Sequence, residues 1–510
     1  MAYFTDRTKR ITNSLLAWAL LGACTFTNGA AADWPTDPSS ALVIGEAQGI
    51  SGSRLSIVEG SDDGVWIAWQ EGFFGDGFLQ LQGVGIDGAL LSPAGIAVQE
   101  DPTFGNISPP MLLGTADGVM VSRAQASMSA YPIQRFGDDG SQLWADGFSV
   151  DEPVGLALGG AVELEGGDSL VVSYRVSGLY LDRVDADGER VWAEQSMITP
   201  ASGNSRVFGI VPDQAGGAYV FWDGFLSYRK LIYAMRVQAD GTLAWESPVL
   251  MVLPPPRIAS SRHSDPVAVS DGAGGAVVVW TEGHESGFQV APQRMQRISS
   301  DGLMSFGFDG VRVSLDTERQ FFVKVQTDPA TNDLFVVWQD DFQEQTTINA
   351  QRMTVDGDRL WGDLGVEITA MDHTFGSFDA LWHNDQLSIA VGGLTGAEIY
   401  NLDAQGQPAA GPWAIREGVR VGDVRLAKSG DGPLNDDFVA AQRVNPDGRL
   451  GGAACSIADM NADGSVNFFD VSVYLGAFSS GDSVADFNHD GALNFFDISL
   501  FLSAFAVGCP

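Results

Sequence analysis

Basic residues are scarce in this chain of 510 residues. Its 28 lysines and arginines stand against 65 aspartates and glutamates, which gives a formal net charge of −37. Proteins bind nucleic acids and anionic membranes through basic patches, so neither is an expected partner. The five histidines include no pair at metal-ligand spacing within one element, and no nucleophile-elbow sequence supports Ser-His-Asp catalysis.

The chain has only three cysteines. After the first residues, no stretch reaches the roughly 18 to 20 apolar residues that a membrane span needs. Residues 1–32 predict a signal peptide, because three basic residues precede an apolar stretch ending at Ala23 and three alanines end at Ala32. The mature protein then begins at Asp33. As an alternative, the residues before Cys24 resemble a bacterial lipoprotein site that lipidates this cysteine. Either export route predicts a secreted or cell-surface, extracellular protein.

The sequence from residue 33 to 450 is repetitive. A β-branched run that ends in tryptophan recurs, and each repeat carries an Asp-Gly turn about 42 to 61 residues after the previous one. The turns begin at Asp87, Asp139, Asp187, Asp240, Asp301, Asp356 and Asp447, with Gln405 as a variant. This spacing fits four-stranded propeller blades rather than helical repeats.

We therefore predict a mainly β fold, a β-propeller of about seven four-stranded blades over residues 33–450. Six or eight blades are the alternatives, because the last unit is short. Pairing of the first and last segments is expected to close the ring and leave no open sheet edge. The repeat resembles those of secreted bacterial β-propellers, a broad group without a single activity.

Two kinds of side chain recur at fixed positions around the turns. An arginine stands four residues before six of them: Arg135, Arg183, Arg236, Arg297, Arg352 and Arg443. A large aromatic stands five residues after the start of five of them: Trp144, Trp192, Trp245, Phe306 and Trp361. Every blade needs the same packing, whereas an active site needs a unique constellation. We predict that these side chains connect blades, the arginines by covering aromatic faces or bonding to turn carbonyls; a ligand role in each blade is the alternative.

No catalytic residue is predicted from the sequence. The Asp boxes of sialidase propellers have one residue between Asp and Gly, whereas the two are adjacent here. The densest cluster of side chains that could act as acids, bases or metal ligands consists of Glu282, His284, Glu285, Asp340 and Asp341. They follow tryptophan-ending strands of neighbouring repeats, so we expect them in loops on one rim, either as a solvated face or as an acidic, cation-binding mouth.

Two near-identical acidic loops, 459–470 and 486–497, lie near the end of the chain. Each has oxygen-bearing side chains at loop positions 1, 3, 5, 9 and 12 and a glycine at position 6, as a calcium loop requires. Apolar residues follow each loop at helical spacing: Val471, Tyr474, Leu475 and Phe478, then Ile498, Phe501, Leu502 and Phe505. Acidic, Asx-rich turns without a metal are the alternative.

The duplicated loop-helix unit, with aspartate rather than glutamate at position 12, resembles the dockerin type I module, which docks onto cohesin domains in a calcium-dependent manner. The resemblance covers residues 455–510, after a linker at 451–454. It implies two Ca²⁺ ions as the only cofactors. The first would be held by Asp459, Asn461, Asp463, Asn467, Asp470 and the Ser465 carbonyl, the second by Asp486, Asn488, Asp490, Asn494, Asp497 and the Ala492 carbonyl.

Cys455 and Cys509 bracket this module, so we predict that they form a disulfide in an oxidising compartment. Phe-Phe pairs at 468–469 and 495–496 replace the small polar residues with which cellulosomal dockerins contact cohesin. The pairs are expected to close the small core of the module, or else to mark a different partner.

Two classes of function remain open from the sequence. The first is a non-catalytic binding or scaffold protein, with a cohesin-like or other surface protein on the C-terminal module and a polysaccharide or protein on the propeller face. The second is an extracellular carbohydrate-active enzyme, a glycoside hydrolase or lyase of polysaccharide breakdown, whose propeller would be catalytic. The repeated blades and the lack of a unique polar constellation favour the first.

Overall fold

The structure is a computed structural model. It describes residues 42–46, 55–60, 64–71, 78–85, 88–92, 95–99, 110–123, 133–144, 147–148, 158–175, 178–200, 206–226, 229–252, 261–284, 292–316, 319–342, 345–372, 377–393, 396–417, 425–426, 433–434, 438–441, 458, 468–480, 485 and 493–507. The predicted signal peptide 1–32, Cys24, the linker 451–454, Cys455 and Cys509 lie outside these residues.

Most of the described residues belong to antiparallel meanders, which we number as blades 1 to 8 along the chain. Blade 1 comprises β2 (Leu55–Glu59), β3 (Val65–Glu71), β4 (Phe78–Val84) and β5 (Ile96–Gln99). Blade 2 comprises β6 (Pro110–Thr115), β7 (Gly118–Arg123) and β8 (Gln134–Gly137). Blade 3 comprises β9 (Leu158–Glu163), β10 (Ser169–Arg175), β11 (Gly178–Val184) and β12 (Ser196–Pro200). Blade 4 comprises β13 (Arg206–Pro212), β14 (Ala218–Leu226), β15 (Arg229–Val237) and β16 (Val249–Leu250).

The remaining blades follow the same plan. Blade 5 comprises β17 (Ser261–Ser270), β18 (Ala276–His284), β19 (Gln293–Ile298) and β20 (Val311–Arg312). Blade 6 comprises β21 (Arg319–Thr327), β22 (Leu334–Phe342), β23 (Gln345–Met353) and β24 (Val366–Asp372). Blade 7 comprises β25 (Phe378–His383), β26 (Gln386–Gly392), β27 (Gly396–Asp403) and β28 (Pro408–Glu417). Blade 8 comprises β29 (Arg425–Leu426), β30 (Pro433–Leu434), β31 (Phe438–Ala441) and, as its outer strand, β1 (Leu42–Glu46).

The blades form a β-propeller in which each has four strands, except blade 2, for which three are described. Hydrogen bonding groups the strands into seven sheets, in line with the predicted number of about seven. One of these sheets has eight strands, because a single parallel bridge between Lys230 and Arg262 joins blade 4 to blade 5. Because this bridge merges two meanders, the described strands form eight meanders, numbered here as blades 1 to 8, within seven sheets.

The ring is closed by the two ends of the propeller sequence. Strand β1 pairs antiparallel with β31, so that Leu42 lies opposite Ala441. The first strands of successive blades contact one another from β2 to β29, and β29 contacts β2. The predicted pairing of first and last segments is thus confirmed, and the short last unit is completed by β1.

Continuous apolar runs form the second strand of most blades, because this strand is buried on both faces. In β18, the residues from Ala276 to Trp280 are all fully buried. Neighbouring blades share their cores: Val277 of blade 5 packs in one cluster with Trp338 of blade 6. Such side-by-side burial makes each blade depend on both neighbours.

Two helices lie near the end of the chain, α1 (Phe468–Ser480) and α2 (Phe495–Val507). The rings of Tyr474 and Phe501 stack at 4.0 Å between centroids and are 1° from parallel. Leu475 and Leu502, predicted on the buried stripes, are instead 53% and 52% exposed. The two helices bury only a narrow seam, which the neighbouring aromatic residues fill. No helix among the described residues is long and apolar enough to cross a membrane.

The glycines of the predicted turns are needed for both conformation and space. Gly406 in blade 7 has φ of +77°, and a Cβ there would lie 2.8 Å from the ring of Trp361 in blade 6. The corresponding Gly241 would place a Cβ 2.9 Å from Trp192. A side chain at these positions would separate the turn from the aromatic residue of the preceding blade.

We predict that Gly406→Ala lowers the free energy of unfolding more than Gly362→Ala. Gly362 also has φ of +77° but no atom within 4 Å of its would-be Cβ, so it isolates the backbone strain. That strain costs about 1 kcal/mol, and overpacking against Trp361 adds about 1–3 kcal/mol. Equilibrium denaturation of both variants measures the difference; equal losses would contradict the proposed turn-to-aromatic contact.

Candidate functional site

The recurring arginines pair with carboxylates of their own blades. In blade 4, Arg236 donates through Nε to Asp213 at 2.9 Å. The other oxygen of Asp213 accepts the backbone N–H groups of Ala215 and Gly217, both at 2.8 Å. The carboxylate is almost fully buried, and these donors compensate for its lost hydration. Equivalent pairs are Arg135–Asp117, Arg183–Asp168, Arg297–Asp271 and Arg352–Asp333.

The same arginines reach across to the next blade. Arg352 of blade 6 donates through Nη1 to the carbonyl of Ala404 in blade 7 at 2.8 Å, and Trp361 donates through Nε1 to the same carbonyl at 3.1 Å. Ala404 immediately precedes the turn that rests on Trp361. We call this arrangement of arginine, carboxylate, aromatic residue and next-blade turn the inter-blade clamp.

The clamp recurs with small variations. The carbonyls of Ala239 and Ser300 each accept from both the arginine and the tryptophan of the preceding blade. In blade 5, which has Phe306, Arg297 instead donates to the carboxylate of Asp356 at 2.9 Å. The predicted blade-connecting role is confirmed for the described arginines and aromatics; Arg443 lies outside the described residues.

Aromatic faces also contribute to the clamp, as predicted. The guanidinium of Arg352 lies 5.3 Å from the ring centroid of Phe335, and that of Arg236 lies 5.9 Å from that of Tyr219. Tyr219 donates its hydroxyl to the carbonyl of Gly274 in blade 5 at 2.7 Å, and burial raises the pKa of this phenol to about 12. It therefore stays protonated and acts as a donor between two blades.

The predicted acidic rim is different in the structure. Glu282 and Asp340 lie within β18 and β22 rather than in loops, because both strands extend beyond their tryptophans. Glu282 forms an ion pair with Arg294. Asp340 is buried and accepts hydrogen bonds from Trp338 Nε1 and Asn349 Nδ2, both at 2.8 Å. The side chains of His284 and Asp341, and the whole of Glu285, lie outside the description.

Glu163 is a carboxyl group with a raised pKa. Desolvation raises the pKa of Glu163 in blade 3, although Ala116 N and Arg135 Nη2 of blade 2 donate to it at 3.0 and 3.4 Å. A raised carboxyl pKa can serve a general acid, but these donors tie Glu163 to a contact between blades. Among the described residues, no group of three or more His, Cys, Asp or Glu side chains is placed to hold a metal.

Sequence reasoning missed a basic cluster beside blades 5 and 6. Arg359 donates to the carbonyl of Arg312, and the pKa of Arg312 is lowered by desolvation and then by the nearby charge of Arg294. Their spacing in the sequence, 294, 312 and 359, carries no local signal, and only the pairing of strands brings them together. Glu282 and Asp363 offset two of the three charges.

The predicted calcium ligands lie mostly outside the described residues. This holds for Asp459, Asn461, Asp463, Ser465, Asn467, Asp486, Asn488, Asp490 and Ala492, and for the side chain of Asp470. Asn494 and Asp497 are described at the start of α2, where Asp497 accepts the N–H of Asn494 at 2.8 Å and Asn494 accepts that of Phe496 at 2.9 Å. This reciprocal cap fixes the helix start at the end of the loop. Asp497 is fully buried, and carboxylate oxygens are ligands that a hard cation prefers.

The phenylalanines beside the loops do not close a core. Phe468, Phe495 and Phe496 are 75%, 74% and 68% exposed, so the expectation that the pairs fill the module is wrong for these three residues. The first turn of each helix points them away from the seam between Tyr474 and Phe501. The side chain of Phe469 lies outside the description.

Comparison with known proteins finds likeness in fold alone. No protein family and no curated protein matches the chain. The propeller of Dos1 aligns over 81% of this chain and 94% of its own, with 10% identity and a TM-score of 0.44. A PL25 ulvan lyase aligns over 70% of this chain and 92% of its own, with 12% identity and a TM-score of 0.43.

Puromycin hydrolase, solved as a mutant complexed with PGG, aligns over 57% of this chain, with 20% identity and a TM-score of 0.38. The alignment covers 46% of the hydrolase chain.

We predict that Arg352→Met lowers the free energy of unfolding by about 3 kcal/mol, because the mostly buried Asp333 and Asp328 lose their cation. Arg359→Met is the matched control in the same blade. Its partner Asp363 is 74% exposed, so the loss should stay below about 1 kcal/mol. Equal losses in denaturant titrations would contradict a stabilising role of the clamp.

Proposed function

We propose that this chain is a secreted or cell-surface binding protein without catalytic activity, in which the propeller is a rigid scaffold and residues 455–510 form a dockerin-like, calcium-dependent docking module. Two Ca²⁺ ions would order the acidic loops. The partner would be a cohesin-like or other surface protein.

The observation that carries this proposal is the apolar surface beside the loops. Phe468, Phe495 and Phe496 are largely exposed in the first turns of the helices. Phe495 and Phe496 contact each other edge to face, with ring centroids 6.5 Å apart. A pair of exposed aromatic residues in contact, such as Phe495 and Phe496, is typical of protein interfaces. Because they directly follow the loops, an ion that orders the loops would also fix the surface that a partner contacts.

The buried cap at α2 supports the calcium part of the proposal. Asp497 joins the helix start to the loop, and the carboxylates of each loop would repel one another without a cation. The ion would therefore supply the charge that holds loop and helix together. Oxygen ligands of this kind suit Ca²⁺ rather than a softer transition metal.

The proposal that the propeller is a scaffold is supported by the contacts that its arginines form. Arg236, Arg297 and Arg352 each form ion pairs within a blade and reach the following blade. Because these arginines hold neighbouring blades together, their removal would destabilise the propeller rather than remove a catalytic group. A rigid scaffold that carries a docking module is the function that these contacts favour.

Calorimetric titration of residues 33–510 with CaCl₂ tests the module. We expect two bound ions, and Asp463→Ala combined with Asp490→Ala should abolish the isotherm while the β-sheet circular dichroism stays unchanged. Asp187→Ala combined with Asp309→Ala removes the same charge from exposed propeller positions and should leave calcium binding intact. An unchanged isotherm in the first double variant would refute the calcium loops.

A further inference from the structure

Three arginines meet at the boundary of blades 5 and 6. Arg294 and Arg312 lie directly opposite each other in the pairing of β19 with β20. Arg359 of blade 6 donates through Nη1 to the carbonyl of Arg312 at 2.8 Å. We call these three residues the arginine cluster. Like charges at opposite positions of neighbouring strands are unfavourable, so nearby negative charge is needed to compensate for them.

The carboxylates near the arginine cluster compensate for it only in part. Glu282 forms an ion pair with Arg294. Asp363 lies 3.5 Å from Nε of Arg359, but this carboxylate is 74% exposed, so water screens the pair. The Nε atoms of Arg312 and Arg359 are buried and have no hydrogen-bond partner among the described residues. The cluster therefore keeps donors and charge that its own surroundings do not use.

The electrostatic surroundings of Arg312 show the same surplus of positive charge. Desolvation lowers the pKa of Arg312 most, and nearby charges add to this effect. The effect of Arg294 is larger than that of Glu282, and the effect of Arg359 is larger than that of Asp316. The two arginines thus outweigh the two carboxylates. The cluster is a positively charged spot on a chain whose net charge is −37.

Blade 3 shows how the same position is neutralised elsewhere in the propeller. Arg190 corresponds to Arg359, because each stands three residues after the start of its predicted turn. Arg190 donates through Nε at 2.8 Å to Asp182, which is fully buried. In blade 6, the position of Asp182, directly before the clamp arginine, is taken by the neutral Gln351. Arg359 therefore lacks the internal carboxylate that its counterpart has.

Exposed apolar side chains border the arginine cluster. Leu315 and Leu364 are 41% and 58% exposed. They lie close together, because Leu315 donates its N–H at 2.8 Å to the carbonyl of Asp363, the residue directly before Leu364. Phe308, 47% exposed, directly precedes the residue whose carbonyl accepts from Nη1 of Arg294 at 3.0 Å. Arginines surrounded by apolar side chains are typical of protein interfaces.

We infer that the arginine cluster binds a carboxylate of a partner polypeptide, whose apolar side chains contact Leu315 and Leu364. The side chains of Arg294 and Arg359 are each 20% exposed, so a ligand can reach them. A carboxylate would supply the missing negative charge, because its two oxygens match the paired donors of a guanidinium group. The exposed leucines favour a polypeptide over a polysaccharide, which presents hydroxyl groups rather than apolar side chains. The site is separate from the proposed calcium module and does not depend on it.

Fluorescence anisotropy on residues 33–510 tests the inference with the peptide Leu-Glu-Leu-Glu-Leu, amidated at its end and labelled with a neutral fluorophore. The neutral probe of equal shape is Leu-Gln-Leu-Gln-Leu. We expect the glutamate peptide to bind at least about fivefold more tightly. The net charge of −37 repels an acidic peptide, so such a preference requires a local basic site. Equal binding of the two peptides, or no binding of either at about 1 mM, would overturn the inference.

Arg359→Gln removes one charge of the cluster without breaking a contact to a buried carboxylate. It should lower the affinity for the glutamate peptide about fivefold and leave the affinity for the glutamine peptide unchanged. The melting temperature of the variant shows that the propeller remains folded. An unchanged affinity for the glutamate peptide would contradict the role of the cluster.

Asp363→Asn and Asp187→Asn form a matched pair with an effect of the opposite sign. Each removes one exposed carboxylate, the first beside the cluster and the second in blade 3. Asp363→Asn should raise the affinity for the glutamate peptide about threefold, because Arg359 loses a competing partner. Asp187→Asn should change it by less than about 1.5-fold. Equal gains in the two variants would show that only the net charge of the protein matters.

Competition with trigalacturonate, a carboxylated oligosaccharide, distinguishes the two classes of partner. We expect it to displace the labelled glutamate peptide only at concentrations at least about tenfold higher than the unlabelled peptide needs, because it has no apolar side chains for the leucines. Displacement at equal or lower concentration would overturn the assignment to a polypeptide.

Discussion

The structure depends on the contact through which one blade holds the turn of the next. A guanidinium group forms an ion pair inside its own blade and donates across the blade boundary, as Arg352 does to Ala404 at 2.8 Å. The turn glycine allows the aromatic ring of the preceding blade to come close enough for its own hydrogen bond. Repetition of this contact joins apolar sheets that would otherwise meet only through nonspecific packing, and the pairing of β1 with β31 closes the series.

This constraint determines what the propeller can offer to a ligand. In blades 2 to 6, the recurring charges are engaged in the clamp, so new chemistry is available where the repeat is broken. In blade 6, Arg359 lacks the buried carboxylate that its counterpart in blade 3 has. Blade 7 has Asn401 at the arginine position, buried and with its Oδ1 atom lacking a hydrogen-bond partner among the described residues. Outside the propeller, Phe468, Phe495 and Phe496 expose apolar surface in the first turns of the two helices.

The sequence was sufficient to predict the features that repeat. The β-propeller, its turns and the scaffold role of residues such as Arg236 and Trp361 follow from spacing, because every blade must make the same contacts with its neighbours. Features that do not repeat were harder to predict. Asp340 was expected in a rim loop, yet β22 continues through it, since hydrogen bonding to β21 and β23 outweighs its polarity. Phe495 was expected in the core of the C-terminal module, but the two helices bury only the narrow seam between them, and Phe495 lies outside it. The carbonyl that Arg352 reaches lies 52 residues away in the sequence and has no sequence signal.

We propose that the charged residues of this propeller build a binding scaffold rather than a catalytic site. The most direct test incubates residues 33–510 with a panel of neutral, uronic and sulfated polysaccharides, followed by assays for new reducing ends and for the ultraviolet absorbance of unsaturated lyase products. The account predicts no release from any polysaccharide, including those that the protein retains in a pull-down. Release of reducing ends or unsaturated sugars in proportion to protein concentration would contradict it.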